Sequence, residues 1–194
     1  KGKLMKPSVM CVTKEAITDN FSLNNLPNEH IHFMNREVVD KIPEVGKMFP
    51  QIIPVIAVKK DNKYLTYARN GTEGRLHGKR SMTVGGHIDI TDTIGLTYYR
   101  DYRATIALAA MRELYEETGF NKAFTYDEFT QVIWIPDGDE VSQVHIGLVS
   151  IVETDKTITP NEELADVQWL TKEELIRDIS NYELWSQHLI QALK

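Results

Sequence analysis

The strongest constraint on this chain lies in residues 112–120, where three glutamates fall within five consecutive positions of a predicted helix. We expect the helix to end at Gly119, because glycine is the residue that most often follows a helix C-terminus. Glu113 and Glu117 then lie one turn apart, and like charges at this spacing destabilise a helix. Glu116 and Glu117 also fall in the last turn, where the helix dipole disfavours negative charge. A bound divalent cation would reverse the sign of these interactions, so the segment is a candidate metal site.

A second interpretation of this segment is an acidic helix end on a solvated surface, in which Arg112 pairs with Glu116 four residues on. Two glycines upstream, Gly85 and Gly86, bear on the choice because they end a predicted strand. Glycine permits backbone dihedrals and close approaches that other residues do not. The Gly86 carbonyl could therefore face a metal or a phosphate, although a Gly-Gly pair is also common in ordinary turns.

Composition limits the class of protein. The chain has 194 residues, enough for one domain with a buried core, and it has no apolar run long enough to cross a bilayer. Its first residues lack the apolar segment of a signal peptide. Cys11 is the single cysteine, which excludes an internal disulfide and a cysteine-based zinc site and fits a cytoplasmic location. The formal charge of −6 argues against a general nucleic-acid binder, so we expect neither a nucleic-acid polymer nor a membrane as partner.

The residue pattern predicts one domain over residues 1–194, with residues 1–50 as its N-terminal extension. The predicted strands cover residues 8–12, 52–58, 64–68, 81–84, 128–135, 141–152 and 167–170. The predicted helices cover residues 38–48, 102–118 and 182–193, with a further helix beginning after Thr171. Strands on both sides of one central helix predict an α/β (α+β) fold, an α/β/α sandwich whose mixed β-sheet is flanked by helices.

Two of these elements carry more specific expectations. In the strand at 141–152, the alternation of Val144, Ile146 and Leu148 with polar or small residues predicts one buried face. Thr171 and Glu174 have the spacing of a capping box, in which each side chain accepts a backbone hydrogen bond near the other residue.

The glycine pair and the glutamate helix together resemble the Nudix box, whose pattern is Gly, five residues, Glu, seven residues, then Arg-Glu-apolar-x-Glu-Glu-x-Gly-apolar. Residues 112–120 match the second half at every specified position, and Gly86 matches the first glycine. The first glutamate of the pattern falls on Asp92, a conservative departure. The spacing then differs, because residues 93–111 separate Asp92 from the second half and about 12 of them are extra. The sequence is similar to a MutT-type group of phosphoesterases with a lengthened box.

The resemblance implies a metal-dependent hydrolase that cleaves the diphosphate linkage of a nucleoside diphosphate joined to another moiety. The substrate would be a small molecule such as a nucleotide sugar, an ADP-ribose-like compound or a nucleoside triphosphate. The cofactor would be Mg²⁺, with Mn²⁺ as a substitute, because Mg²⁺ takes carboxylate and phosphate oxygens as ligands. We assign Glu116 and Glu117 as principal ligands, with Glu113 next and the Gly86 carbonyl as a backbone ligand.

The remaining catalytic roles also follow from the resemblance. Arg112 would orient the glutamates through a salt bridge rather than contact the substrate. The general base would be Glu113 or Glu116 in the box, or a residue of a later loop in which Glu163 is available. The alternative for Glu163 is a solvated loop position before a strand.

Substrate-binding candidates come from the loop before the glycine pair and from the insert. Arginine side chains match phosphate oxygens, although an exposed basic loop is an equal alternative. A histidine follows the glycines and could sit at the mouth of the site, and tyrosines in the insert could stack on a nucleobase. The candidates are Arg69, Arg75, Arg80, His87 and Tyr99, with Tyr98 and Tyr102 as further stacking residues.

Two other functions stay open at this point. One is a Nudix-fold module that binds nucleotides without turnover, against which the complete set of glutamates argues. The other is an isopentenyl-diphosphate isomerase, which shares the fold but needs a cysteine beside the site. Cys11 is the sole candidate, and it lies on a predicted N-terminal strand far from the box. The resemblance also makes a homodimer a reasonable assembly.

Overall fold

The computed structural model describes residues 7–17, 28–69, 78–93 and 101–194, and within them it contains eight strands and five α-helices. The strands are β1 (Ser8–Val12), β2 (Ile31–Asn35), β3 (Gln51–Lys60), β4 (Lys63–Arg69), β5 (Arg80–Ser81), β6 (Gln131–Ile133), β7 (His145–Glu153) and β8 (Leu164–Thr171). The helices are α1 (Arg36–Lys41), α2 (Pro43–Met48), α3 (Tyr102–Thr118), α4 (Lys172–Arg177) and α5 (Leu184–Ala192).

The sheet is mixed and is organised around β3. Strand β3 pairs in parallel with β7 from Gln51↔His145 to Lys59↔Glu153. Its far end turns back into antiparallel β4 through Asp61 and Asn62, whose φ angles of 49° and 61° are those of a tight hairpin turn. Toward one edge of the sheet, β1 pairs with β2 along its whole length, and β1 also pairs with β3 through one residue pair, Cys11↔Gln51. The N-terminal strands therefore lie in the same sheet as the later ones.

Helices cover both faces of this sheet, which confirms the predicted α/β sandwich. Helix α3 packs one face through Ile106, Ala110 and Leu114, all of which are fully buried. Its N-terminus is capped by the Asp101 side chain, and it ends at Gly119 with φ 67°, so the predicted bounds of this helix are confirmed. Helix α5 covers the opposite face, against a second cluster of buried side chains from the sheet and from α4.

The expectation of one buried face in the seventh strand is wrong. The strand begins at His145, because residues 142–144 form a 3₁₀ turn. Both Leu148 and Val149 are buried, at 2% and 1% exposure, although they point to opposite faces. The reason is that β7 lies between β3 and β6 in the interior of the sheet, where helices cover both faces. Only Ile151 and Glu153, at the C-terminal end of the strand, are exposed.

The remaining elements follow the sequence with local differences. The capping box at Thr171 and Glu174 is present and begins α4. The helix predicted at 38–48 is two short helices that meet at Ile42, because Pro43 cannot continue the first and instead begins the second. None of the helices in the described ranges is both long and apolar enough to cross a membrane.

Candidate active site

A cavity of about 1170 Å³ opens between the C-terminal half of α3, the glycine pair, the start of β7 and the N-terminal helices. Its wall is rich in charged and polar groups. The residues that line it include Arg36, Asp40, Arg69, Gly85, Gly86, His87, Arg112, Glu113, Glu117, His145, Glu163, Glu183 and Trp185. Most of the residues selected from the sequence therefore meet at one place.

The glycine pair permits a close approach that no other residue would allow. Val84 is fixed to Ile56 of β3 by two backbone hydrogen bonds of 2.8 and 2.9 Å. Gly85 then has a φ of 152°, and a Cβ there would lie 2.0 Å from the Pro54 carbonyl oxygen. A Cβ on Gly86 would lie 2.5 Å from the carboxyl group of Glu113. The Glu113 carboxylate thus rests directly against the Gly86 backbone.

Arg112 is the centre of a hydrogen-bonded network. Its guanidinium donates two bonds to Asp92, from Nε to Oδ1 at 2.7 Å and from Nη2 to Oδ2 at 3.0 Å. It also donates to Glu113 at 2.7 Å, to Glu116 at 3.3 Å and to the His87 carbonyl at 3.0 Å. The bidentate bond to Asp92 raises the pKa of Arg112 well above its usual range. Such a fork fixes both planes, so Arg112 holds Glu113 in place.

This network also explains the departure at Asp92. Helix α3 begins only at Tyr102, so most of the extra residues precede it, and residues 94–100 lie outside the described ranges. A short 3₁₀ turn at Ile90–Thr93 places the Asp92 side chain against Arg112, where it is 6% exposed. The lengthened spacing therefore leaves Asp92 in contact with the arginine of the helix.

Glu117 is the most perturbed carboxylate of the site. It is 8% exposed, and its Oε2 atom has no hydrogen-bond partner among the described residues. Burial raises its pKa to about 8, with a further increase from the charge of Glu113, while Arg69 and a backbone hydrogen bond from Gly85 act in the opposite direction. Burial also raises the pKa of Glu113, although Arg112 partly offsets this. A bound cation would give this buried carboxylate oxygen a partner and would stabilise its negative charge.

A divalent cation fits Glu113 and Glu117, which both line the cavity. Magnesium is usually held by one or two carboxylates together with water and substrate phosphates, so two protein carboxylates are sufficient. The third glutamate, Glu116, lies at the edge of this site. The Glu116 side chain is 55% exposed, is paired with Arg112 and does not line the cavity.

The loop after β7 brings Glu163 to the same cavity. Thr159 and Asn161 donate backbone hydrogen bonds of 2.8 and 2.9 Å to the carbonyls of Thr118 and Glu117. These bonds satisfy carbonyl groups that the end of an α-helix leaves without partners. Asn161 in turn accepts a hydrogen bond from the Glu163 backbone at 2.9 Å. Glu163 lines the cavity, and its charge adds to the raised pKa of Glu117.

The arginine candidates separate into two groups. Arg69 lines the cavity, with its Nε atom 3.4 Å from Glu183, and it lies close enough to Glu117 to lower the pKa of that residue. Arg80 does not line the cavity, because its guanidinium binds Asp166 at 2.7 Å and Thr66 at 3.0 Å. Among the other candidates, Arg75, Tyr98 and Tyr99 lie outside the described residues.

Two aromatic groups differ in their access to the site. Tyr102 is buried at 6% exposure and packs edge-on against Tyr126, with 6.0 Å between the ring centroids, so it does not line the cavity. Trp185 at the start of α5 does line it, close to Gly147. The sequence offered no reason to distinguish Trp185 from the other tryptophans, because its access to the cavity depends on how α5 packs.

His87 lines the cavity beside two residues that the sequence did not suggest. Burial lowers its pKa to about 3, and the charges of Arg36 and His145 act in the same direction, while Asp40 acts against them. His87 is therefore a neutral imidazole at physiological pH. Its Nε2 atom lies 3.4 Å from Nε2 of His145. Asp40 and His145 are far apart in the sequence, and no motif joins them.

The single cysteine is remote from this chemistry. Cys11 is fully buried in β1, where its thiol contacts the Val9 carbonyl oxygen at 3.6 Å, and it does not line the cavity. Burial raises the pKa of the thiol to about 12. An isomerase that uses a cysteine beside the site therefore has no suitable group in this cavity.

Comparisons with known proteins agree with this arrangement. The NUDIX domain family model matches residues 52–193. Protein YmaB of Bacillus subtilis (strain 168) is 28% identical over 159 residues, which cover 78% of this chain and 74% of YmaB. The solved structure of Tm1382, assigned to the Nudix hydrolases, gives a TM-score of 0.69 at 19% identity and covers 96% of this chain and 100% of Tm1382.

A more distant structure carries ligands. A bifunctional NMN adenylyltransferase/ADP-ribose pyrophosphatase of Francisella tularensis, complexed with AMP and a Mn ion, gives a TM-score of 0.50 at 19% identity. It covers 73% of this chain, and the match covers 40% of that protein. The family model spans most of this chain, so the chain belongs to the NUDIX family. As a member of that family, it is a pyrophosphohydrolase.

Proposed function

We propose that this protein hydrolyses the diphosphate linkage of a nucleoside diphosphate joined to another moiety, in a reaction that depends on Mg²⁺ or Mn²⁺. The observation that carries the proposal is the buried Glu117 carboxylate, whose Oε2 has no hydrogen-bond partner and which lines the cavity beside Glu113. Water attacks a diphosphate poorly because both are electron-rich, so the site must supply positive charge at that point.

The metal would be held by Glu117 and Glu113, with the Gly86 carbonyl as a backbone ligand and Glu116 as a further carboxylate at the edge. When bound, Mg²⁺ neutralises phosphate charge, orients the phosphate and acidifies a water molecule. The missing side chain at Gly86 leaves space for the Glu113 carboxylate. Arg112 keeps that carboxylate oriented through its 2.7 Å bond and does not itself contact the substrate.

Other side chains of the cavity would position the substrate and move the proton. Glu163 accepts the proton of the attacking water, for which its place beside Glu117 is suitable. Glu113 remains the alternative base. Arg69, which also lines the cavity, holds a phosphate oxygen. The cavity, at about 1170 Å³, exceeds the usual range for drug-sized ligands and has room for two linked moieties.

Trp185 offers a stacking surface for a nucleobase or a second ring. The Francisella tularensis protein, which matches this fold over 40% of its length, is complexed with AMP and a Mn ion. A panel of compounds would identify the moiety that is joined to the nucleoside diphosphate in the substrate.

The test is release of phosphate or nucleotide from a panel that includes nucleotide sugars, ADP-ribose-like compounds and nucleoside triphosphates. Each is assayed with and without Mg²⁺ or Mn²⁺. We expect Glu117→Gln to lower turnover at least about a hundredfold, because it removes a metal ligand while keeping the shape of the side chain. The matched control is Glu173→Gln, which changes an exposed glutamate of α4 that does not line the cavity.

Two outcomes would contradict the proposal. Activity close to wild type in folded Glu117→Gln would remove Glu117 from the metal site. Binding of metal and nucleotide without cleavage of any compound would instead indicate a module that binds nucleotides without turnover.

A further inference from the structure

Three further side chains that line the cavity come together in one cluster. Asp40 comes from α1, His87 follows the glycine pair, and His145 begins β7. One carboxylate oxygen and two imidazole nitrogens all lie within 4.8 Å of one another. Across the described residues, this is the one group of three or more such side chains with that geometry. The mechanism proposed above does not use it.

The hydrogen bonding of His145 directs its second nitrogen toward this meeting point. Nδ1 lies 2.7 Å from the Val141 carbonyl oxygen. A carbonyl oxygen only accepts, so Nδ1 carries the hydrogen and donates it, and the neutral ring has its lone pair on Nε2. Histidine ligands of metals are commonly oriented in this way, by donating their other N–H to a backbone carbonyl.

The distance between the two imidazoles matches a shared metal ion. Nε2 of His145 lies 3.4 Å from Nε2 of His87, and the ring planes are inclined by 63°. Two nitrogen ligands at the usual zinc distance in a tetrahedral site lie about 3.3–3.4 Å apart. The pair is therefore already at ligand spacing.

The carboxylate is held in a comparable way. The Gln51 side-chain amide donates to Oδ1 of Asp40 at 2.7 Å, and Nε of Arg36 donates to Oδ2 at 3.2 Å. Gln51 is fully buried and is the strand partner of His145 in the parallel register of β3 and β7. Hydrogen bonds to a ligating carboxylate are typical of metal sites, because they fix its orientation.

We propose that Asp40, His87 and His145 form a second divalent-metal site, suited to Zn²⁺, with three protein ligands and a fourth position open to the cavity. A set of two histidines and one carboxylate with an open position is the arrangement of catalytic zinc sites. It differs from the glutamate site in its ligands, since imidazole nitrogens favour zinc and similar metals over magnesium. The open position would accept an anionic oxygen, such as a phosphate oxygen of a molecule bound in the cavity.

The two sites share one connection. The His87 backbone follows Gly86 directly, and its carbonyl accepts a hydrogen bond from Arg112 at 3.0 Å. The arginine that orients Glu113 therefore also fixes the backbone of a ligand of the second site. A single molecule in the cavity could contact both ions.

The test is calorimetric titration of chelator-treated full-length protein with Zn²⁺ alone, together with NMR of the histidine rings. We expect a Zn²⁺ ion that shifts the ring signals of His87 and His145 to bind to wild type and to Glu117→Gln with similar affinity, whether or not a further ion binds at the glutamates of wild type. His145→Gln should weaken this binding at least about a hundredfold, and Asp40→Asn at least about tenfold. The matched control His188→Gln, at an exposed position on α5, should bind as wild type.

Asp40→Asn and His145→Gln lie on different elements, and thermal unfolding tests whether each variant is folded before it is titrated. Unchanged Zn²⁺ affinity in both folded variants would overturn the proposal. So would Zn²⁺ binding that is abolished by Glu117→Gln alone, because the ion would then belong to the glutamate site. These readouts need no turnover, so they stand apart from the test of the hydrolase.

Discussion

Replacing Glu117 with glutamine should stabilise the metal-free protein. Its pKa rises from 4.5 to about 8 in the folded protein, mainly because burial disfavours the charge. Each pKa unit corresponds to about 1.4 kcal/mol, so complete ionisation costs the folded state about 5 kcal/mol. At pH 7 the cost is about 3 kcal/mol, because Glu117 is still mostly protonated in the folded protein below its pKa of about 8. Glutamine keeps the shape of the side chain and carries no charge to bury.

The sign of the effect sets its pH window. Below pH 4.5 Glu117 is protonated in both the folded and the unfolded protein, so wild type and Glu117→Gln should unfold with similar free energies. Between pH 4.5 and about 8 the unfolded chain releases the proton first, and wild type loses stability relative to the variant. Above about pH 8 the difference should level off.

The assay is urea denaturation of chelator-treated protein at several pH values between 4 and 9, in which the variant gains stability as the pH rises. Added Mg²⁺ should then stabilise wild type and have much less effect on the variant. Glu116→Gln serves as control, since that side chain is 55% exposed and its change should stay within about 0.5 kcal/mol. A variant that is less stable than metal-free wild type at pH 8, or a difference independent of pH, would refute the burial argument.

Two further changes test the geometry around Glu113. Gly86→Ala should lower turnover at least about tenfold, because its Cβ would lie 2.5 Å from the Glu113 carboxyl group and displace it, and kinetics with saturating metal would show this loss. Unchanged turnover would mean that the carboxylate has no fixed role there. Arg112→Lys should destabilise the fold by about 2 kcal/mol and reduce turnover, because lysine cannot form the fork that holds Asp92, whose side chain is 6% exposed. Thermal unfolding with steady-state kinetics checks this, and wild-type values in both would contradict it.

The parts of the fold that sequence predicted are those set by local patterns. The bounds of α3 followed from its apolar spacing and from Gly119, which stops the helix within the chain itself. The capping box at Thr171 was equally local. Strand β2 was not predicted, because its half-exposed residues lack a strand pattern and it is held mainly by pairing with β1. The partners of an edge strand cannot be recognised from its own residues.

The site shows the same division. Glu113, Glu117 and Arg112 lie on one helix, so the sequence spacing predicted that they are close together, while their expected roles came from the resemblance to the Nudix box. Asp40 and His145 could not be predicted, because they meet only through the sheet. The parallel register of β3 with β7 places Gln51 beside His145, and Gln51 in turn binds Asp40. Register between distant strands depends on packing of the whole sheet.

The hydrogen bonds from Thr159 and Asn161 to the last carbonyls of α3 have a consequence for local unfolding. The final turn of the helix and the loop that carries Glu163 cannot separate without breaking both bonds, so they should open as one cooperative unit. The amide hydrogens of Thr159 and Asn161 would then exchange with solvent with a common free energy of opening. Protection of these two backbone amides would therefore report the stability of the assembled glutamate site, although neither residue takes part in the proposed chemistry.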